Sequence, residues 1–421
     1  KLNKEKESHK SRLSNLQSNY EDIEAEIELF SSELGANKEN SEINERKTDE
    51  FLGISEELIS DFTIMAKEAS SNRKANKNKV KKPSAKEILT CNFNEGVNVL
   101  TYNNNNKGNS INKFDYSVKK QRLVLADNSG HFYIVNVKQS EEESKDKVKS
   151  FTVLEGNNTE EGKKGFFSKR INDVSFMNSN EMFFGMASED RTAGVFGFSD
   201  LNSDLSLVHK ITTHTSAVTG IAFQPFSEYL VLSSTDSSYS FHNTVKGVCL
   251  DKNYLGLELT SARFQPDGLL FGLTSNSSIL IHTVEHKNPV FALEEENHTN
   301  IKGIEFSENG YHMLSYNESE VKIWDLRKPS VISEFSVDSP LSSASFDYSG
   351  SHITFSNAKD LGLFSVKENK KFQYSELNNN KSSKLNTLLS SNSNTGEVTG
   401  IQLKSPKEIY LVCQNGSVFT N

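Results

Sequence analysis

Hydrophobic and polar positions alternate in short runs along most of this chain, and the stretch from Ile301 to Lys328 (IKGIEFSENGYHMLSYNESEVKIWDLRK) shows the unit. Ile304 and Phe306 flank a polar residue, and Ser307-Glu308-Asn309-Gly310 then makes a tight-turn sequence. A second apolar run, Tyr311 to Leu314, leads through the polar turn Asn317 to Glu320 into Val321-Lys322-Ile323-Trp324, closed by Asp325. Period-two alternation predicts strands with one face buried and the other wet or packed on a neighbour. Three strands this short cannot hide their apolar faces alone, so the unit needs copies of itself.

The copies are marked by an aromatic or leucine anchor: Phe176, Phe223, Phe264, Phe306, Phe346 and Leu403, at spacings of about 47, 41, 42, 40 and 57 residues. The preceding triplets recur in register: Val174-Ser175-Phe176, Ile221-Ala222-Phe223, Ala262-Arg263-Phe264, Ile304-Glu305-Phe306, Ala344-Ser345-Phe346 and Ile401-Gln402-Leu403. This period is that of four-stranded propeller blades. A further blade fits from Ile88 to Val137, making seven, and closing the ring removes long exposed edges. The Trp-Asp pair of WD repeats stands only at Trp324-Asp325, with Phe196, Phe241, Ile281 and Phe364 near the Trp position elsewhere. A polar support set is expected to tie turns to blades: His214 and His298 before first strands, Ser233 and Ser315 in second strands, Asp190 and Asp236 in the following turns. None of these stands in a nucleophile context, so their expected role is structural.

Ahead of the repeats the period changes. Leu13, Leu16, Tyr20, Ile23, Ile27, Phe30 and Leu34 recur at alternating steps of three and four, the seam of a coiled coil that meets a partner helix; an amphipathic helix on the propeller is the alternative. A second helix is expected from about Thr48 to Ser70, with Phe51, Leu58, Phe62 and Met65 on one side, either folded back on the first or capping the rim. Residues 72–86 (NRKANKNKVKKPSAK) carry no apolar period and read as a solvated linker. Lys79, Lys81 and Lys82 at its centre also fit nuclear import or contact with RNA phosphates. The expected layout is therefore 1–70 coiled coil and second helix, 71–86 basic linker, and 87–421 an all-β seven-bladed WD40 propeller. Three polar inserts, Tyr102 to Asn112, Gln139 to Ser150 and Asn378 to Gly396, read as mobile loops, and the third explains the longest spacing.

Composition narrows the function. The 421 residues carry a net charge of −9, with 35% hydrophobic and 24% charged residues, against a general nucleic-acid sleeve and in favour of one large propeller plus something smaller. Mean hydropathy is −0.56, and no apolar run approaches the roughly 18 residues of a membrane span. Cys91, Cys249 and Cys413 are far apart and form no CxxC pair, which predicts neither zinc nor a disulfide framework and points to a reducing, intracellular compartment. No phosphate loop, HExxH or Gly-x-Ser-x-Gly elbow is found, and no carboxylate pair stands in an apolar setting. No catalytic residue, metal or cofactor is expected, and function should lie in partners. The chain begins at Lys1 inside a helical pattern, so further sequence is expected upstream.

A family resemblance sharpens this. HTSAVTGIAFQPFSEYLVLSSTDSSYSFHN (His214 to Asn243), LTSARFQPDGLLFGL (Leu259 to Leu273) and SENGYHMLSYNESEVKIWDLRK (Ser307 to Lys328) resemble the propeller of the pre-mRNA-processing factor 19 family. KLNKEKESHKSRLSNL resembles the later part of that family's coiled coil, and ISEELISDFTIMAKEASSNRKANK (Ile54 to Lys77) the helix and basic link into its propeller. The resemblance implies a nuclear scaffold of the spliceosome-activating complex, tetrameric through its coiled coil, with partners docking on the propeller and a role in DNA repair. It also implies ubiquitin-protein ligase activity in an N-terminal U-box that recruits a ubiquitin-conjugating enzyme. That U-box is not in this sequence, so these residues alone are expected to be inactive. A Groucho-type WD-repeat corepressor, which also joins an oligomerising helix to a ring, is the other reading.

Overall fold

The structure is a computed structural model and describes residues 53–76, 82–84, 88, 94–99, 109–139, 149–155, 166–199, 204–294, 298–357, 361–373, 398–405 and 408–420. Within them lie one long helix, α1 (Glu56–Asn76), and seven four-stranded antiparallel sheets. Six sheets are consecutive in sequence. The first runs Ile111–Ser117, Arg122–Asp127, Phe132–Gln139, Lys149–Glu155, and the sixth ends at Lys370–Gln373. The seventh joins three C-terminal strands, Val398–Ser405, Glu408–Cys413 and Ser417–Thr420, to Asn94–Asn98 from the other end of the chain. Each first strand packs against the first strand of the next sheet, and Val398–Ser405 packs back on Ile111–Ser117, so the ring is closed. Closure leaves each inner strand with only a short edge, protected inside the ring.

The expected seventh blade therefore exists with other boundaries. Residues 88–137 span a strand that belongs to the last blade and three strands of the first, whose fourth strand lies beyond the acidic insert at Lys149–Glu155. That fourth strand takes in Lys149 and Ser150 from the expected acidic loop. Ile111 and Asn112, placed in the first insert, are likewise strand residues, Ile111 fully buried. The seam between the last and first blades is locked by Tyr116 and Tyr410, ring centroids 4.1 Å apart and hydroxyls 3.1 Å apart.

Blades stack face to face, and the core follows from that. Seven apolar clusters of described residues form, one between each adjacent pair of blades, such as Val124, Phe132 and Ile134 of the first blade against Phe176, Phe184 and Phe196 of the second. Middle strands are thus buried on both faces. Even Lys322, in the alternating run of the fifth blade, is buried beside Glu334. Wet-and-dry alternation is kept by outer strands such as Ser330–Ser336.

A polar belt ties the inner strands together. The residue after the first apolar position of one inner strand donates to the carbonyl at the start of the next. Asn112 reaches Ile171 (2.5 Å), Asn172 Val218 (2.9 Å), Thr219 Leu259 (2.9 Å), Thr260 Ile301 (3.1 Å), Lys302 Leu341 (3.2 Å) and Thr399 Ile111 (2.8 Å). At the remaining step, Ser345 Oγ donates to Ile401 O at 3.2 Å. Buried carbonyls at a ring's inner edge need such partners.

Helix α1 lies on the turn side of the third and fourth blades. Ser55 Oγ accepts from Leu58 N at 3.3 Å, an N-cap, and Glu56 and Glu57 occupy the first turn. Phe62 is buried against Tyr229 and Phe241, centroids 5.4 and 6.3 Å away. Burying that ring contributes about 2 kcal/mol. Leu58 joins the same cluster, and Gly53 N donates to Leu250 O at 2.8 Å. The helix runs past Ser70 to Asn76 because Arg73 holds Asp267 with both guanidinium nitrogens, at 2.6 and 3.1 Å. The first part of the basic stretch is therefore a docked helix end. The seam residues Leu13, Leu16, Tyr20, Ile23, Ile27, Phe30 and Leu34, the insert around residues 378–396, and Lys79 and Lys81 lie outside the described residues. Lys82 is exposed.

Candidate functional site

The expected polar support set can be tested against the strand register. Trp324 pairs with Met313, His242 with Leu230 and His282 with Phe271, so the Trp position is filled by histidine in the third and fourth blades. Phe196 and Phe364 hold it in the second and sixth, opposite Phe184 and Ile353. Phe241 and Ile281 stand one residue short of it. Two rows along the same face, Ser315 pairs with Lys322, Leu232 with Ser240 and Leu273 with Leu280. A hydroxyl thus sits on the second strand of the fifth blade, on the third strand of the third blade, and on neither strand of the fourth.

In the fifth blade the network is complete. Trp324 Nε1 donates to Ser315 Oγ at 2.8 Å, His298 Nε2 lies 2.8 Å from the same oxygen, and His298 Nδ1 lies 2.6 Å from Glu320 Oε1. Asp325 stands apart from it, bound to Arg327 at 2.6 Å, and the hydrogen bond from that guanidinium pulls its carboxyl down to about 2. In the third blade Asp236 Oδ2 lies 3.0 Å from His214 Nδ1, His214 Nε2 lies 2.7 Å from Ser240 Oγ, and His242 Nε2 lies 2.8 Å from that oxygen. Ser233 is outside this line; its hydroxyl meets Thr219 Oγ1 at 3.0 Å. Burial alone would raise the Asp236 carboxyl, yet hydrogen bonds from His214, Ser238 and Thr215 N together hold it far below the usual range. Burial, with His214 and Lys252 nearby, pushes His242 down to about 3. In the second blade Asp190 accepts from Thr192 Oγ1 (2.6 Å) and from Ser168 N (2.9 Å), and such bonds outweigh its burial to lower its pKa.

Asp236, His214 and Ser240 stand in the order of a nucleophile relay, but Ser240 is fully buried and its oxygen is held between two imidazoles. A nucleophile needs a substrate within reach, so this line supports a blade. Burial also pushes the thiols of Cys249 and Cys413 up to about 12, far from thiolate chemistry. Among the described residues no group of three His, Cys, Asp or Glu could hold a metal, and no helix is long and apolar enough to cross a membrane. Ser240, His242 and Glu320 are network members that the sequence reading did not name, and His282 holds the Trp position without joining a network; for His242 and His282 the one-residue offset from Phe241 and Ile281 was the signal.

The WD domain, G-beta repeat family model matches residues 205–253, the last strand of the second blade and nearly all of the third. With seven four-stranded sheets in a closed ring, that match decides the fold. This chain is a seven-bladed WD40 propeller. It resembles pre-mRNA-processing factor 19 proteins from several kingdoms. The rice protein, Oryza sativa subsp. japonica, is 31% identical over 193 residues, 44% of this chain and 36% of its own length. The Dictyostelium discoideum protein is 28% identical over 221 residues (49% and 42%), and the Bos taurus protein 34% identical over 127 residues (29% and 24%). The matched stretches span under half the length of each of these relatives.

The turns quoted for the family resemblance have a defined place on the WD40 propeller. Gln224 Nε2 donates to Gly268 O (3.4 Å) and Gln265 Nε2 to Gly310 O (2.5 Å), linking the turns of the third, fourth and fifth blades. Gly310 has φ +80°, and a side chain there would collide with the Arg73 guanidinium. The Phe264-to-Leu269 and Ser307-to-Tyr311 segments therefore build the seat of α1. Around that seat Phe226 and Val245, on two turns of the third blade, and Ile64, on the helix, are exposed.

Proposed function

We propose that this chain is the docking and assembly part of a nuclear scaffold that acts in pre-mRNA splicing. Its similarity to pre-mRNA-processing factor 19 proteins of plants, an amoeba and mammals carries the reading. The geometry is consistent with it: a rigid ring whose polar networks are internally committed offers binding surface rather than reactive groups. In this reading the heptad seam from Leu13 to Leu34 joins copies of the chain into a tetramer, and spliceosomal proteins dock on the propeller. Ubiquitin transfer, with a ubiquitin-conjugating enzyme as partner, and a part in DNA repair would belong to the assembled ligase. The basic residues Lys79, Lys81 and Lys82 would serve nuclear import or touch RNA phosphates.

The deciding experiment is affinity capture from nuclear extract with the whole chain, read by mass spectrometry. Spliceosomal proteins are the expected result; DNA-bound repressors in their place would overturn it and favour the corepressor reading. Light scattering tests the assembly separately. A tetramer that falls apart on Ile23→Asp with Ile27→Asp is expected, and a monomer of the unaltered chain at micromolar concentration would sink that part.

A further inference from the structure

Helix α1 is held to the ring by two unequal grips. Leu58, Phe62, Ala66, Ala69 and Arg73 follow one another at steps of four, four, three and four residues, which puts them on one stripe of the helix. The first half of that stripe is apolar: Phe62 and Ala66 are buried, and Leu58 packs on the cluster that holds Tyr229, Phe241 and Leu250. Beyond Ala66 the grip changes. Lys67, Glu68, Ser71, Asn72, Lys74 and Ala75 are exposed, and among the described residues the hydrogen bonds that join residues 67–76 to the ring are the two from Arg73. The ring meets that arginine with a built receptor. Arg73 Nη1 donates to Asp267 Oδ2 at 3.1 Å and Nη2 to Oδ1 at 2.6 Å, and both side chains are sheltered, 24% and 17% exposed. Buried Gln265 braces the receptor, its Nε2 donating to Asp267 Oδ2 (3.3 Å) and to Gly310 O (2.5 Å). Gly310 leaves the guanidinium its space, which a side chain there would take. Two parallel bonds to one carboxylate select arginine over lysine.

We propose that Asp267, Gln265 and Gly310 form an arginine socket at the end of a helix-binding groove, and that α1 fills this groove as an exchangeable plug. The occupant that displaces it is a partner helix with the same stripe: two apolar residues four apart, and an arginine eleven residues after the second, about three turns along one face. The seated α1 supplies that specification. A helix gripped by a small apolar patch and one ion pair is held by contacts that the closed ring does not share, so it opens without unfolding the blades. Opening uncovers Tyr229 and Phe241 together with the socket. The groove goes beyond the splicing reading and holds whether or not the partner is spliceosomal.

The test uses a fluorescent peptide of residues 53–76 and the whole chain, with Phe62→Asp in the chain to free its groove. Anisotropy should show the peptide binding this chain at least about tenfold more tightly than the unaltered chain, whose own α1 competes. Arg73→Lys in the peptide should weaken binding about tenfold, and Asp267→Asn in the chain by a similar factor. The two together should cost little more than either alone, the mark of one shared contact. Should Phe62→Asp prevent folding, hydrogen exchange on the unaltered chain decides: the amides of α1 should exchange at least about tenfold faster than those of the second strands. A peptide that binds neither chain, an affinity indifferent to Arg73→Lys and Asp267→Asn, or α1 amides as slow as the second strands would overturn the proposal. Capture from nuclear extract stays a separate test of the splicing reading.

Discussion

The fourth and fifth blades place an aromatic ring at one equivalent third-strand position and treat it in opposite ways. Trp324 has one N–H and finds Ser315 Oγ at 2.8 Å, backed by His298 and Glu320. His282 has two ring nitrogens, is fully buried, and neither nitrogen has a hydrogen-bond partner among the described residues. The reason is in its neighbours: where the fifth blade has Ser315 and Lys322, the fourth has Leu273 and Leu280, and both are buried. His282 instead stacks on Phe271 at 5.4 Å and meets Tyr239 at 5.1 Å. Its ring is used as an aromatic plate, and burial pushes its pKa down to about 4. An imidazole can fill the Trp position, but it carries a proton-binding liability that indole lacks.

The largest expected effect comes from emptying the satisfied site. Trp324→Ala removes the indole from the cluster with Ile304, Phe306 and Met313 and leaves Ser315 without its donor. A loss of about 3–5 kcal/mol is expected in chemical denaturation at neutral pH. A loss below about 1 kcal/mol would mean that the network adds little to the blade.

The unsatisfied site should reveal itself by pH. An unfolded histidine titrates near 6.5, so the unfolded chain takes up a proton before folded His282 does. Its contribution is full above about 6.5, is lost as pH falls towards about 4, and then levels off. That loss is about 3 kcal/mol. His282→Phe keeps the plate and removes the proton, so the difference in stability between pH 7.5 and 4.5 should shrink by that amount. An unchanged pH dependence would show that water or a rearranged neighbour already satisfies the ring.

The third blade is the intermediate case, with its histidine rescued by a hydroxyl on its own strand. Ser240→Ala would leave His214 Nε2 and His242 Nε2 without their shared partner. A cost of about 1–3 kcal/mol is expected from urea unfolding. Retention of full stability would mean that the line from Asp236 through His214 is not a support.

These positions also mark what could be read from the chain and what could not. The anchors from Phe176 to Leu403 fall on inner strands because each inner strand repeats its environment, and local alternation records that environment. The partner of Asn94–Asn98 is a strand at residues 417–420, a pairing that exists only once the ring closes. Arg73 extends its helix by holding Asp267, 194 residues away, and no local period carries that contact. The third strands of the third and fifth blades shift register against their outer neighbours at Phe241/His242 and Ile323/Trp324. Both bulges put the extra residue on the outer strand, and the third strand of the fourth blade has none, so Phe241 and Ile281 pass for the Trp equivalent only because they are apolar and stand one residue before it.

The same one-residue offset makes the smallest prediction the sharpest. Ser233 stands in the second strand of the third blade, as Ser315 does in the fifth, and composition alone would give them one role. Their pairings differ: Ser233 lies opposite Tyr239 and Ser315 opposite Lys322, so Ser233 corresponds to Tyr316 rather than to Ser315. Its hydroxyl meets Thr219 Oγ1, and that threonine already donates to Leu259 O in the belt between blades. Ser233→Ala should therefore cost less than about 1 kcal/mol, since Thr219 keeps its carbonyl and no imidazole loses a partner. A cost equal to that of Ser240→Ala would place Ser233 in the histidine network and undo the register argument on which the comparison of the three blades stands.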